Sequence, residues 1–176
     1  MAFTFKQLNI PEIIHIIPAT YPDERGSFCE VYKQPEFEKA GIKGPFVQLN
    51  HSQSAKGTLR GLHYQERPEA QGKLVTVLEG EIFDVAVDIR KGSPTYGKHV
   101  SLTLKGDRKE MLYIPEGFAH GFCVLSEKAH VAYYCTRVYS PDHERGILWD
   151  DPQLKIAWPI KDPILSKRDQ GLPLLV

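Results

Sequence analysis

The chain has 176 residues, 41% hydrophobic and 25% charged, with Lys+Arg and Asp+Glu equal at 22 each. That length can bury a real core without disulfides, and the even charge excludes the polybasic field expected of a protein that binds nucleic acid or anionic membrane. The three cysteines, Cys29, Cys123 and Cys135, are odd in number and form no CxxC pair, so they read as reduced thiols of a soluble, cytoplasmic protein.

The opening stretch "MAFTFKQLNIPEIIHIIP" carries Glu12 and His15 in a short apolar run and has no small-residue cleavage site. It does not read as a signal peptide, and no window approaches the roughly 20 apolar residues of a membrane span. "QPEFEKAGI" predicts a short peripheral helix, with Pro35 near its start and Gly41 as its stop. Beyond it the pattern has period two. "KLVTVLEG" is a β-branched run of strand length. In "EIFDVAVDIR", Phe83, Val85, Val87 and Ile89 share one face, and Asp84, Ala86 and Asp88 the other. In "GKHVSLTLKG", Val100, Leu102 and Leu104 line one face, and "HVAYYCTRVY" is another strand. The turn signals "LEGE", "RKGSPTYG", "LKGD" and "IPEGF" separate these runs. Short strands at this spacing predict an all-β jelly roll in one domain, residues 1–176. From about Ser140 the text turns rich in Pro, Asp and Trp and reads as an ordered C-terminal arm packed over the sandwich.

The stretch "TLRGLHYQ" places Arg60 and His63 inside a predicted strand. Small barrels of the cupin type hold metal through a His-x-His pair, a downstream glutamate and a later histidine after a Pro-x-Gly turn. Here His63 and His120 occupy two of those places and Glu69 lies downstream, but Gln65 stands where the second histidine would be. An amide is a poor ligand for zinc or iron, so the pattern argues against metal. Without metal, His63 suits a general base. It then needs an orienting carboxylate, an acid partner and a group that stabilises negative charge. Asp169, Tyr133 and Lys73 are candidates, although each is equally readable alone as a turn residue, a core aromatic and a strand end.

Longer strings add a resemblance. "DERGSFCEVY", "NHSQSAKGTLRGLHYQ", "GKLVTVLEGEIFDVAVDIRKGSPTYG", "YIPEGFAHGFCVLSE", "WDDPQLKIAWP" and "LSKRD" follow one another in this order. Together they resemble the dTDP-4-dehydrorhamnose 3,5-epimerase family over nearly the whole chain. The resemblance implies a cupin-like jelly roll, a homodimer, no metal and no cofactor. It also implies inversion of C3 and C5 of a 4-keto-6-deoxyhexose carried on dTDP. By the same resemblance His63 is the base oriented by Asp169, Tyr133 the acid on the opposite face, and Lys73 the stabiliser of the enolate. His120 falls at the cavity position that contacts the sugar or its ketone. Arg25 and Arg60 fall at the phosphate-contacting positions, with Glu30, Gln48, Asn50, Tyr139, Glu144 and Arg168 as further substrate-binding candidates.

One detail conflicts with a regular strand. Residues 60 and 63 differ by an odd number, so Arg60 and His63 should point to opposite faces. Serving one ligand requires an irregularity at Gly61, or else Arg60 serves a neighbouring subunit or the diphosphate lies outside the barrel mouth. Three other readings stay open: a single-carbon epimerase, a metal-dependent cupin enzyme, and a non-catalytic sugar-binding cupin.

Overall fold

The computed structural model describes residues 2–176. In chain order the strands are β1 (Phe3–Gln7), β2 (Ile14–Pro18), β3 (Thr20–Asp23), β4 (Gly26–Cys29), β5 (Gln48–Ala55), β6 (Leu59–Gln65) and β7 (Lys73–Glu79). They continue with β8 (Glu81–Asp88), β9 (His99–Lys105), β10 (Met111–Ile114), β11 (Phe118–Val124), β12 (Lys128–Cys135) and β13 (Glu144–Gly146). A six-stranded sheet has the order β1-β2-β10-β7-β12-β5, and a five-stranded sheet the order β13-β6-β11-β8-β9. β3 and β4 form a separate hairpin. This is the all-β jelly roll expected from the strand periodicity.

The two sheets close over one apolar core. Val75, Val77, Leu112, Ile114 and Val131 of the larger sheet meet Ile82, Ala86, Val100, Leu104, Phe118 and Phe122 of the smaller. The outer face of the larger sheet presents Phe3, Ile14, Ile16, Leu74 and Met111, which pack against Phe37 and Ile42. Phe37 belongs to the one α-helix among the described residues, α1 (Gln34–Lys39), which has Pro35 in its first turn and ends before Gly41. Its ring meets Phe3 and Phe5 edge-on at 5.3 and 5.4 Å, which suits the aromatic quadrupoles.

β8 shows why its alternation reads ambiguously. Ile82 and Ala86 enter the sandwich core, while Phe83, Val85 and Val87 lie under the C-terminal arm against Ile147, Leu154 and Trp158. Both faces are therefore buried, and the face bearing Asp84 is the inner one. The arm is ordered by specific bonds rather than by apolar cover alone: β13 pairs with β6, and Ile164 bridges Thr58 beside the start of β6. A 3₁₀ turn at Asp169–Gly171 then brings Asp169 back to that strand.

Candidate active site

The site begins with an irregularity in β6. Against β11, His63 pairs with His120 and Arg60 pairs with Phe122, so three steps along β6 match two along β11. The extra residue restores parity, and Arg60 and His63 line the same chambers. Two glycines allow this. Gly61 has φ +127°, and a Cβ there would stand 2.5 Å from Gly121 Cα and 2.8 Å from the His120 carbonyl. A Cβ on Gly121 would in turn meet the Arg60 carbonyl at 2.7 Å. Any side chain at either position forces the strands apart.

His63 sits beside this bulge with its Nε2 2.7 Å from Asp169 Oδ1. Its side chain keeps 27% exposure, while that of Asp169 keeps 4%. Asp169 also accepts the Gly61 N–H at 3.5 Å, and its own N–H donates to Ser166 Oγ. Burial opposes ionisation of Asp169, but the hydrogen bond and charge of His63 hold its carboxyl below the usual range. A carboxylate held there fixes the ring's orientation and supports positive charge on it.

The opposite wall comes from the other sheet. Tyr133 on β12 and Lys73 at the start of β7 face the same space as His63. Burial raises the Tyr133 hydroxyl above its ordinary value, helped by Cys135 and Glu144 and opposed by Arg60, so it stays a proton donor at neutral pH. Burial pulls the Lys73 ammonium down, and Cys135, Asp84 and Glu144 oppose that shift. Its Nζ donates to the His63 carbonyl at 3.3 Å. A desolvated ammonium here has strong pull on any oxygen that becomes negative.

Arg60, His63, Lys73 and Tyr133 are shared by two chambers. The inner one, about 410 Å³, also touches His120, Phe122 and arm residues Leu165, Ser166 and Asp169. The outer one, about 540 Å³, is lined by polar residues of β5 and by Tyr139 and Glu144. Gln48 and Asn50 point into it from the edge strand and are hydrogen-bonded to each other at 2.9 Å. Gln48 also accepts the Tyr139 N–H at 2.7 Å. Glu144 Oε2 accepts both Tyr139 Oη and Arg168 Nη1 at 2.6 Å. Burial opposes the Glu144 charge, yet these bonds and the Arg168 guanidinium keep its carboxyl below the usual range. Arg60 donates only its Nε, to Ser54 Oγ at 3.0 Å, among the described residues. Its two terminal nitrogens remain available for an anion.

His120 lies on β11 beside His63, with Nε2 2.5 Å from Asp84 Oδ1. Gln65, at the would-be metal position, spends its amide on backbone. Its nitrogen donates to the Glu69 and Val138 carbonyls, and its oxygen accepts the Ser140 N–H. It ties the end of β6 to the loop leading into the arm. Glu69 itself lines a different cavity. Among the described residues no three His, Cys, Asp or Glu side chains assemble as a metal-holding group.

Two of the candidates lie elsewhere. Arg25 is at the tip of the β3–β4 hairpin, 86% exposed and paired with Asp23 at 2.6 Å. Glu30 follows that hairpin and pairs with Lys33. Neither lines either chamber of this protomer.

Comparison with known proteins agrees with this architecture. Residues 7–176 match the family model described as dTDP-4-dehydrorhamnose 3,5-epimerase. The chain belongs to that family. A dTDP-4-dehydrorhamnose 3,5-epimerase of Shigella flexneri is 55% identical over 162 residues, covering 92% of this chain and 90% of the relative. A crystal structure of the Legionella pneumophila dTDP-6-deoxy-D-glucose-3,5-epimerase in complex with dTDP-4-keto-L-rhamnose superposes with a TM-score of 0.94. It is 50% identical and covers 98% of this chain and 93% of the other. The Bacillus anthracis dTDP-4-dehydrorhamnose 3,5-epimerase, bound to TDP and PPi, gives a TM-score of 0.96 at 44% identity, covering 99% and 100%.

For this epimerase-family chain, some functional residues went unread in the sequence. Asp84 was read only as sharing a strand face with Ala86 and Asp88, and Ser54 had no distinguishing context. Gln65 was read only as a missing ligand, and its role as a clamp depends on loops 73 and 75 residues away. The only available signal was the aspartate pattern in "IFDVAVDIR", where a carboxylate interrupts a strand that is apolar on its other face.

Proposed function

We propose that the paired chambers epimerise C3 and C5 of dTDP-4-dehydro-6-deoxy-D-glucose, giving dTDP-4-dehydro-L-rhamnose, with the sugar inside and the nucleotide outside. The observation that carries this reading is the opposition of His63, on one sheet and bonded to Asp169 of the arm, to Tyr133 and the buried Lys73 ammonium on the other, around one chamber. Both carbons to be inverted flank the C4 ketone, so removing either proton yields an enolate. His63 takes the proton from one face, and Asp169 stabilises the imidazolium that forms. Lys73 stabilises the enolate oxygen. Tyr133, kept protonated by burial, returns a proton from the other face. The ketone already present is the electron sink, so this chemistry requires no redox cofactor.

The diphosphate falls to the free fork of Arg60, and the nucleoside to the polar ladder of Gln48 and Asn50 with Tyr139, Glu144 and Arg168. We assign Arg25 and Glu30 to the cavity of a second copy. The hairpin that carries Arg25 holds Tyr21 and Phe28 at 56% and 68% exposure. A hairpin that exposes two aromatic rings favours a homodimer in which each subunit completes the other's site. The three unpaired cysteines favour a cytoplasmic location.

Incubation with dTDP-4-keto-6-deoxyglucose in deuterium oxide tests the reading. Deuterium is expected at both C3 and C5, with Tyr133→Phe slowing product formation more than wash-in. Label at one carbon alone would establish a narrower epimerase, and no exchange at saturating enzyme would refute catalysis on this substrate.

A further inference from the structure

Asp84 has no exposed side-chain surface, and among the described residues its carboxylate bonds only to His120. Its second oxygen, Oδ2, is buried and meets no donor among the described residues. Both members of this pair come from neighbouring strands of one sheet, where His120 pairs with Ala86 and Phe122 with Asp84. The ring is further confined by Phe122, whose centroid lies 6.2 Å away. A buried carboxylate held by one short bond on a regular ladder is placed to orient that ring.

An ionised carboxylate only accepts hydrogen bonds, so the nitrogen facing it carries the proton. In the neutral imidazole the lone pair then lies on Nδ1, which has no partner among the described residues while the ring lines the inner chamber. A further proton on Nδ1 would set a second cation beside the buried Lys73 ammonium, which lines the same chamber. A lone pair repels a ketone oxygen and attracts a hydroxyl.

We infer that Asp84 is a positioning residue that locks His120 with its proton on Nε2, so that Nδ1 accepts a hydrogen bond from a ring hydroxyl of the sugar. This rests on the proposed epimerisation and deepens it: His120 reads a hydroxyl, and the C4 oxygen is left to Lys73. A site that receives a hydroxyl leaves its own polar atom unpaired when that hydroxyl is missing, and discriminates strongly against the deoxy sugar.

Long-range nitrogen–proton correlation of the His120 ring, recorded at pH 8 without substrate, tests the tautomer independently of catalysis. The expected spectrum has the proton on Nε2 alone; a proton on Nδ1, alone or in addition, overturns the inference. In Asp84→Asn, a neutral amide can also donate, so the Nδ1–H form should appear; an unchanged ring spectrum removes the positioning role. The 2-deoxy and 3-deoxy analogues of the 4-keto-6-deoxy substrate, scored by deuterium wash-in at C5, test the hydroxyl. One of them should exchange about 10²-fold more slowly than the parent, and Asp84→Asn should narrow that gap to less than about tenfold. If both analogues exchange like the parent in the unaltered enzyme, the hydroxyl reading fails. Failure of the parent itself to exchange would instead refute the epimerisation, while the ring spectrum would still decide the tautomer.

Discussion

Two histidine–carboxylate pairs stand on neighbouring strands of one sheet, and they are built from different materials. His63 receives its carboxylate from the C-terminal arm, 106 positions away, and keeps 27% of its side chain exposed. His120 receives its carboxylate from the adjacent strand and keeps 6%. The first pair has one member on an irregular segment and an open side toward the chamber, which suits a group that must meet a substrate and exchange protons with it. The second is locked into the ladder, which suits a group that holds one orientation. Similar residues in similar pairs thus take different roles, according to what supports each carboxylate.

The largest expected effect separates the two pairs directly. His63→Ala should lower deuterium wash-in at both carbons by roughly 10³-fold or more. His120→Ala should cost only about 10- to 100-fold in kcat/KM and leave wash-in measurable. Equal losses in the two variants would erase the distinction.

Lys73→Met sharpens it next, since Lys73 bonds to the His63 carbonyl and feels the Asp84 charge. Its kcat should fall by about 10²- to 10³-fold, while the melting temperature rises. Among the described residues the buried ammonium donates only to a backbone carbonyl at 3.3 Å, and replacing such a charge by a hydrophobe of similar length tends to stabilise. A lower melting temperature would mean that Lys73 is structural.

A smaller effect concerns the arginine outside the chambers. Arg25→Ala and His63→Ala proteins, each weak alone, should recover about a quarter of full activity when unfolded and refolded together. Half of the dimers are then mixed, and each mixed dimer holds one complete site. No recovery would remove Arg25 from the neighbour's cavity.

The smallest expected effect is on pH dependence. Asp169 has a folded-state pKa below its unfolded value, so its pairing contributes stability above the unfolded carboxylate range. That contribution is lost as pH falls through the lower folded value. Asp169→Asn should therefore melt less steeply with acid than the unaltered protein below about pH 4. Identical pH profiles for the two would show that the arm is held by other contacts.

Local sequence was a good guide wherever a signal has short range. Pro35 and Gly41 bracket a six-residue helix, and Val100 and Leu104 face the core as their alternation predicts. The parity conflict between Arg60 and His63 was legible as well, since glycine at position 61 is the residue a bulge there requires. The two strands of "MAFTFKQLNIPEIIHIIP" were not read, because their apolar run breaks at Pro11 and the second of them is anchored by β10, distant in sequence, while the first pairs with the second. Asp84 stayed without a role for a different reason: the strand is buried on both faces, and alternation cannot say which of two buried faces meets the chamber.

By itself the sequence determined the class of fold, the extra residue at Gly61 and the chemical types available for proton transfer. Each of these follows from backbone sterics or side-chain chemistry that acts over a few residues. A family resemblance could suggest the partnership of His63 with Asp169 and Tyr133, but the tertiary structure brings Asp169 within hydrogen-bond reach of His63, Asp84 within reach of His120, and Tyr133 to the same chamber from another sheet. A hydrogen bond spans about 3 Å, and nothing in the order of residues says which distant carboxylate the fold will carry to within that reach.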